Sequence, residues 1–299
     1  MNRTAGPSID LIRVIAREGH VKRMTHRFAF HLAWVWLTLA TLGTAAPGTA
    51  PPQQPLITFS AWEHGFAGPD QLPAGHTTVR LSNRGKQPHQ LQFLKLEEGK
   101  SPDDLAAALK SGNRTVPSWA KHMGGPNSVE AGGTSEATLY LEPGSYVVIC
   151  GMPGKNHQSH AVLGMQKALR VLDSPAAPPE FAGNFHMAMF EYEFVVVQPL
   201  RKGRHAFYVI NRGNQIHQAS FVRLNPGASA EDVLAALQQN DPSRLPGTFV
   251  GGMTGLEPGR DGMFTAELTS GRYAIMCLFG NPHAQSHAAK GMVMNFTIE

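Results

Sequence analysis

Two stretches of the chain alternate apolar and polar residues at period two, each punctuated by Gly, Pro and Asn. In the first, TVRLSN (78–83), HQLQFLKL (89–96), ATLYL (137–141) and YVVIC (146–150) read as strands. In the second, AFYVIN (206–211), HQASFVRL (217–224), FTAEL (264–268) and YAIMC (273–277) do the same. One segment of helical periodicity interrupts each series: DDLAAALKS after Ser101 and EDVLAALQQ after Ser229. A serine three residues ahead of Asp104 or Asp232 predicts a helix start close to a capping box, and Pro102 suits the first helical position. Many short antiparallel strands with a single helical insertion predict an all-β chain, one β-sandwich for each stretch.

The two stretches are copies of one another. Asn83-Arg84-Gly85 matches Asn211-Arg212-Gly213, and Ser101-Pro102-Asp103-Asp104 matches Ser229-Ala230-Glu231-Asp232. Gly124-Gly125 matches Gly251-Gly252, and Pro143-Gly144-Ser145-Tyr146 matches Ser270-Gly271-Arg272-Tyr273. Pro-rich joints bound them, PGTAPPQQP at 47–55 and SPAAPPEFAG at 174–183. The expected layout is therefore a first domain over 56–173, a linker over 174–183 and a second domain over 184–299.

Residues 1–50 read differently. Lys22, Arg23 and Arg27 precede the apolar run FAFHLAWVWLTLATL, and small residues follow near Ala46 and Ala50. That order predicts a secretory signal with its cleavage region, Met24 being an alternative start; the competing reading is an uncleaved anchor helix. The segment also changes the charge picture. Residues 1–46 carry six of the 26 Lys+Arg and two of the 22 Asp+Glu, leaving 20 of each in the remainder. Nucleic-acid binding loses its electrostatic footing, and no membrane contact is expected after cleavage.

Export to an oxidising compartment usually pairs cysteines. Cys150 and Cys277 occupy the same place in the two copies, so a bond between them would require equivalent strand ends to meet. A different role fits better. Each Cys ends a strand, a His lies ten residues later (His160, His287), and a Met follows five residues beyond that (Met165, Met292). A second His opens an earlier strand in each copy, His89 and His217. One thiolate, two imidazoles and a weak thioether form a ligand set for copper of the type-1 kind. Thiolate and thioether favour Cu(I) and imidazole accepts Cu(II), which suits one-electron exchange.

This pattern, N-x-G…H, a strand ending in Cys, then H-x4-M with Gly before the Met, resembles the cupredoxins, the blue copper proteins. The resemblance covers essentially everything after residue 55. It implies two tandem Greek-key sandwiches, one copper in each, and electron transfer with a periplasmic cytochrome or copper oxidase as partner. Carried over by position, the ligands are His89, Cys150, His160 and Met165, then His217, Cys277, His287 and Met292. The nine residues between Cys and His exceed the loop of plastocyanin- and azurin-like members, which bears on colour, potential and axial ligation.

Other readings compete. A copper carrier without redox duty is one. A two-domain multicopper oxidase or nitrite reductase is another; those families resemble this chain in having fused cupredoxin domains, but they build extra copper sites from His-x-His pairs and a His beside the Cys. No His-x-His occurs, and Ile149 and Met276 precede the cysteines. No G-x-S-x-G, H-E-x-x-H or P-loop pattern occurs either. His157 and His283 differ in spacing between copies and are expected at the surface or behind the ligands. His64, His76, His122, His186 and His205 lack a partner in the other copy and are expected to be ordinary solvated or hydrogen-bonded residues. Trp62, Trp119, Phe66, Phe194, Tyr146 and Tyr273 are expected in the sandwich cores, Met152 as packing, and Glu63 and Glu191 as strand-end charges.

Overall fold

The structure is a computed structural model, and it describes residues 56–111, 115–154, 158–174, 183–239, 245–280 and 285–299. The expected signal segment and most of the joint at 174–183 lie outside these residues, as do His157 and His283. In the first copy the strands are β1 (Leu56–Trp62), β2 (Gly65–Ala67), β3 (Gln71–Pro73), β4 (Gly75–Asn83), β5 (Gln92–Leu96), β6 (Ala120–His122), β7 (Thr134–Leu141), β8 (Gly144–Ile149) and β9 (Gln166–Leu172). The second copy has β10 (Phe185–Phe190), β11 (Glu193–Val196), β12 (Gly203–Asn211), β13 (His217–Leu224), β14 (Gly247–Leu256), β15 (Asp261–Leu268), β16 (Gly271–Met276) and β17 (Val293–Ile298). Helices α1 (Pro102–Lys110) and α2 (Ala230–Gln238) are the two insertions, and both carry full capping boxes, Ser101 with Asp104 and Ser229 with Asp232.

The chain is all-β, but the two sandwiches are not separate. Strands β3-β9-β8-β5-β6 form a sheet belonging to the first copy and β14-β13-β16-β17 one belonging to the second. Facing both is a single eight-stranded sheet, β11-β10-β12-β15-β7-β4-β1-β2, with the copies joined where β15 pairs with β7. Phe264 pairs with Ala137 there, a residue meeting its own repeat equivalent. The same happens between the segments after β6 and within β14, where Pro126 bridges Met253. An isologous contact of this kind is what two equal surfaces make about a two-fold axis. Phe93, Leu139, Met253 and Phe264 share one buried apolar cluster, so the two interiors are continuous.

Polar groups lock that junction. Asn127 is fully buried, and its amide donates to Ala219 O (3.1 Å), Ser220 Oγ (3.0 Å) and Met253 O (2.9 Å) in the other copy. Gly125 and Gly252 sit at positive φ, and a Cβ on either would overlap a backbone carbonyl, of Leu91 or Ala219. Glu136 receives Arg80 (2.5 Å) and, across the junction, Arg204 (2.7 Å). Glu142 likewise receives Lys95 and Arg260. One expectation fails here: Trp62 is 42% exposed, because it ends edge-side strand β1 beside the short β2 instead of entering the core. Phe66, Phe194, Tyr146 and Tyr273 are buried.

Replacing Asn127 by Leu should lower unfolding free energy by about 2–4 kcal/mol, because buried carbonyls lose their donor; urea unfolding measures it, and an unchanged midpoint would show that the clasp contributes nothing. The Lys95 hydrogen bond, with Arg260 also opposite, holds the Glu142 carboxyl below its usual 4.5 despite burial. Its stabilising contribution is present above that value and is lost as pH falls through the lower folded pKa. Thermal unfolding followed across that acid range should therefore show a shallower loss in Glu142→Gln than in the parent.

Candidate metal centres

The first His of each site is placed by the N-x-G turn. At the end of β4 the buried Asn83 amide donates to Gln87 O (2.8 Å) and Val129 O (2.9 Å), and its Oδ1 accepts from Gly85 N (2.9 Å). Asn211 repeats this with Gln215 O (2.7 Å), Leu256 O (2.8 Å) and Gly213 N (3.0 Å). The turn is thereby folded over the imidazole that follows. Gly85 is required for room: a Cβ there would stand 2.7 Å from His89 Nε2 and 2.8 Å from Glu63 Oε1. At Gly213 the corresponding distances are 2.8 Å to His217 Nε2 and 2.6 Å to Glu191 Oε1.

The other donors come from the loop after the Cys strand. Cys150 N donates to Met165 O (3.3 Å), Ala161 N to Cys150 O (2.8 Å), and Met165 N to His160 O (2.8 Å). Cys277, Ala288, His287 and Met292 reproduce these bonds at 3.2, 2.8 and 2.9 Å. The loop turns back through Gly164 (φ 102°) and Gly291 (φ 104°), left-handed conformations that favour glycine. Both methionines are fully buried, and their carbonyls accept the cysteine N–H groups.

In each copy the Cys sulfur and two imidazole nitrogens converge. Cys150 Sγ lies 3.8 Å from His89 Nδ1 and 3.5 Å from His160 Nδ1. Cys277 Sγ lies 3.9 Å from His217 Nδ1 and 3.5 Å from His287 Nδ1, with the two nitrogens 3.1 Å apart. All six side chains are buried, and neither Cys is in a disulfide. A metal held in trigonal fashion at about 2.0 Å by nitrogen and about 2.3 Å by sulfur separates S from N by about 3.7 Å. The donors stand at that spacing. His89 Nε2 and His217 Nε2 are buried without a hydrogen bond among the described residues.

The protein alone keeps these groups uncharged. Burial pushes both thiols up to about 12, against the weaker pull of backbone N–H groups such as Gln218 N, 3.4 Å from Cys277 Sγ. Burial, with His89 adjacent, takes His160 down to about 4. Burial also lowers His89, His217 and His287. Neutral imidazoles present lone pairs to a cation, and a cation would reverse the thiol's preference for its proton.

Behind the donors, the copies part company. His160 Nε2–H donates to Gln87 Oε1 (2.9 Å), which leaves Nδ1 as the ring's free lone pair. His287 instead packs edge-on against Tyr192 at 5.6 Å. Glu63 and Glu191, expected as strand-end charges, stand beside the first histidine of each set. Glu63 occupies the β1–β2 turn, accepts the Lys86 and Gln87 backbone N–H groups, and stands 3.8 Å from His89 Nε2. Glu191 does the same in the β10–β11 turn with Asn214, Gln215 and His217 Nε2 (3.7 Å). Their matching positions in the two copies were the available signal; the parallel pairing of β1 with β4 that brings them here was not readable.

Both copies are cupredoxin-like. The sandwich, the cysteine at a strand end and the buried Cys-His-His cluster together decide it. No protein-family model matches the chain, and no curated protein does. Solved structures similar to it include the dithionite-reduced auracyanin of the photosynthetic bacterium Roseiflexus castenholzii, at 21% identity over 39% of this chain and 96% of that one (TM-score 0.29). Auracyanin A, a blue copper protein of Chloroflexus aurantiacus, is 25% identical over 40% of this chain and 100% of its own (TM-score 0.29). The copper nitrite reductase of Nitrosomonas europaea is 15% identical over 83% and 94% (TM-score 0.25).

Both cysteines of the metal-free cupredoxin-like chain should resist a disulfide reagent at pH 8 while folded, and both should react after denaturation. Rapid reaction of the folded form, read at the reagent's absorbance, would contradict the burial described above.

Proposed function

We propose that each half holds one copper ion and that the chain is an exported one-electron carrier. The ligands would be His89, Cys150, His160 and Met165 in the first half, and His217, Cys277, His287 and Met292 in the second. The observation that carries this reading is the recurrence of one buried thiol and two facing imidazoles, with the same sulfur–nitrogen spacing, in two copies that differ over most of their other residues. Copper supplies one-electron exchange between Cu(I) and Cu(II) when bound.

The chain's own residues do the rest. Gln87 fixes the His160 tautomer, the Asn83 and Asn211 turns fix the first His of each set, and the Gly164 and Gly291 turns return the loops so that water is shut out. A scaffold that holds its donors this firmly has little to rearrange when one electron is added or removed. The full burial of both cysteines and both methionines supports electron transfer over a carrier role, because handing on the ion is easiest through a sulfur that an acceptor can reach. Export rests on the apolar run 28–42 with its basic flank. The partner would be another redox protein of the same compartment, such as a cytochrome or a copper oxidase.

Copper-loaded protein should carry two ions per chain and an intense thiolate-to-copper band. Cys150→Ser and Cys277→Ser should each remove about half of that band and one equivalent of copper, and the double variant should remove both. Visible absorption that neither substitution changes would end this reading.

A further inference from the structure

A cavity of about 840 Å³ opens between the two copies, beside the second centre and unused by the reading above. Val116 and Ile149 of the first copy and Ile216, Leu234 and Leu237 of the second supply its apolar wall. Its ionisable lining residues are His122, Glu257 and His287; among the described residues no Lys or Arg faces it. His122 is nearly fully buried, and its Nδ1 looks at Glu257 Oε1 from 3.5 Å without forming a hydrogen bond. Glu257 meanwhile accepts the His122 backbone N–H (3.0 Å). The His122 ring meets Phe279 edge to face at 5.1 Å, and Phe279 in turn lies 6.3 Å from His287.

The repeat shows that this arrangement is not a packing requirement. At the pseudo-equivalent position Phe249 stands in place of His122, with its backbone N–H on Glu130 (3.1 Å) as His122's is on Glu257. Met152 stands in place of Phe279, and its sulfur accepts from Ser128 Oγ (3.0 Å). Both halves of the junction thus keep the carboxylate, Glu130 in one and Glu257 in the other, but a buried imidazole and a phenyl ring accompany it only at Glu257.

We propose that this cavity binds a neutral hydroxylated aromatic molecule, its hydroxyl hydrogen-bonded to the His122–Glu257 pair and its ring against Phe279. The volume suits a compound of one to a few rings. Among the described residues the lining carries a carboxylate and no Lys or Arg, which favours a neutral occupant over an anion, and that carboxylate asks for a donor. With Nδ1 turned towards Glu257, Nε2 is the ring nitrogen of His122 left for an occupant. The aromatic wall favours an edge-to-face or offset partner. His287 lines the same space, so an occupant would touch a ligand ring of the second centre; that consequence rests on the copper reading, whereas the binding itself does not.

The test uses the full chain stripped of metal by a chelator, with 2-naphthol as probe and its fluorescence anisotropy as readout. Saturable binding of one probe per chain is expected, weakened about tenfold by His122→Phe, which installs the other copy's own residue, and by Glu257→Gln. Leu237→Trp, which fills the cavity from α2 without touching the polar pair, should abolish it. 2-Methoxynaphthalene, lacking the donor, and naphthalene-2-sulfonate, carrying a charge, should bind at least about tenfold more weakly. Circular dichroism and thermal unfolding confirm that each variant is folded. Absence of saturable binding, equal affinity across the folded variants, or equal affinity for the ether or the sulfonate would overturn the proposal. Because the chain is metal-free, that failure leaves the copper reading standing, and visible absorption unchanged in the cysteine variants, which would end the copper reading, leaves this proposal standing.

Discussion

Holding a thiol and two imidazole nitrogens together in an apolar interior is the constraint on which the rest of this structure turns. Each donor is polar, each is cut off from water, and none can be fully hydrogen-bonded by its neighbours without losing the lone pair it offers. The fold meets this by satisfying everything around the donors and leaving the donors themselves facing inward. Asn83 and Asn211 use both ends of their amides to tie the turn after their strand to Val129, in the segment between β6 and β7, or to Leu256 of β14. Glycine at 85 and 213 then lets a carboxylate and an imidazole approach where any side chain would stand between them. The N-R-G triplet is thus a spacing device for the first histidine as much as a turn.

That device depends on long-range pairing. Glu63 reaches the Gly85 turn only because β1 lies parallel to β4, and Glu191 reaches Gly213 only because β10 lies parallel to β12. The eight-stranded sheet that carries all four strands is also the sheet that joins the copies. The turns that brace the first histidine of each site are therefore carried by one continuous layer, while the cysteines end strands of the two smaller sheets; the halves are related by the axis that passes between Pro126 and Met253 and between Ala137 and Phe264.

What could be read from the chain follows from the range of the forces involved. Period-two alternation and Ser-x-x-Asp starts are local, so the strands around 78–83, 146–150, 206–211 and 273–277 and both helices appear where the pattern puts them. The Cys, His and Met spacings are local too, and duplication made them stand out. Three things were not local. Strand β14 runs through GGMTG, with no alternation to betray it, because its glycines leave room for the Ala219 carbonyl of β13 and for Ser135 and Gln92 of the other copy. Trp62 was expected inside on hydrophobicity alone, yet strand position leaves it at the surface. The turn carboxylates looked like solvent-facing charges because their partners lie more than twenty residues away.

Duplication also offers an internal control that a single domain lacks. Where both copies keep the same residue in the same contact, as with the asparagine turns, the glycine returns and the turn carboxylates, the requirement belongs to the site itself. Where they diverge, it belongs to the surroundings of one site. Gln87 bonds His160 directly, whereas His287 leans on Tyr192; Met152 and Phe249 stand where the other half of the junction has Phe279 and His122. Equal donor sets in unequal surroundings differ in ring orientation, local polarity and solvent access, the quantities by which a protein tunes a bound metal. The two donor sets are therefore alike in their own residues and different in what surrounds them.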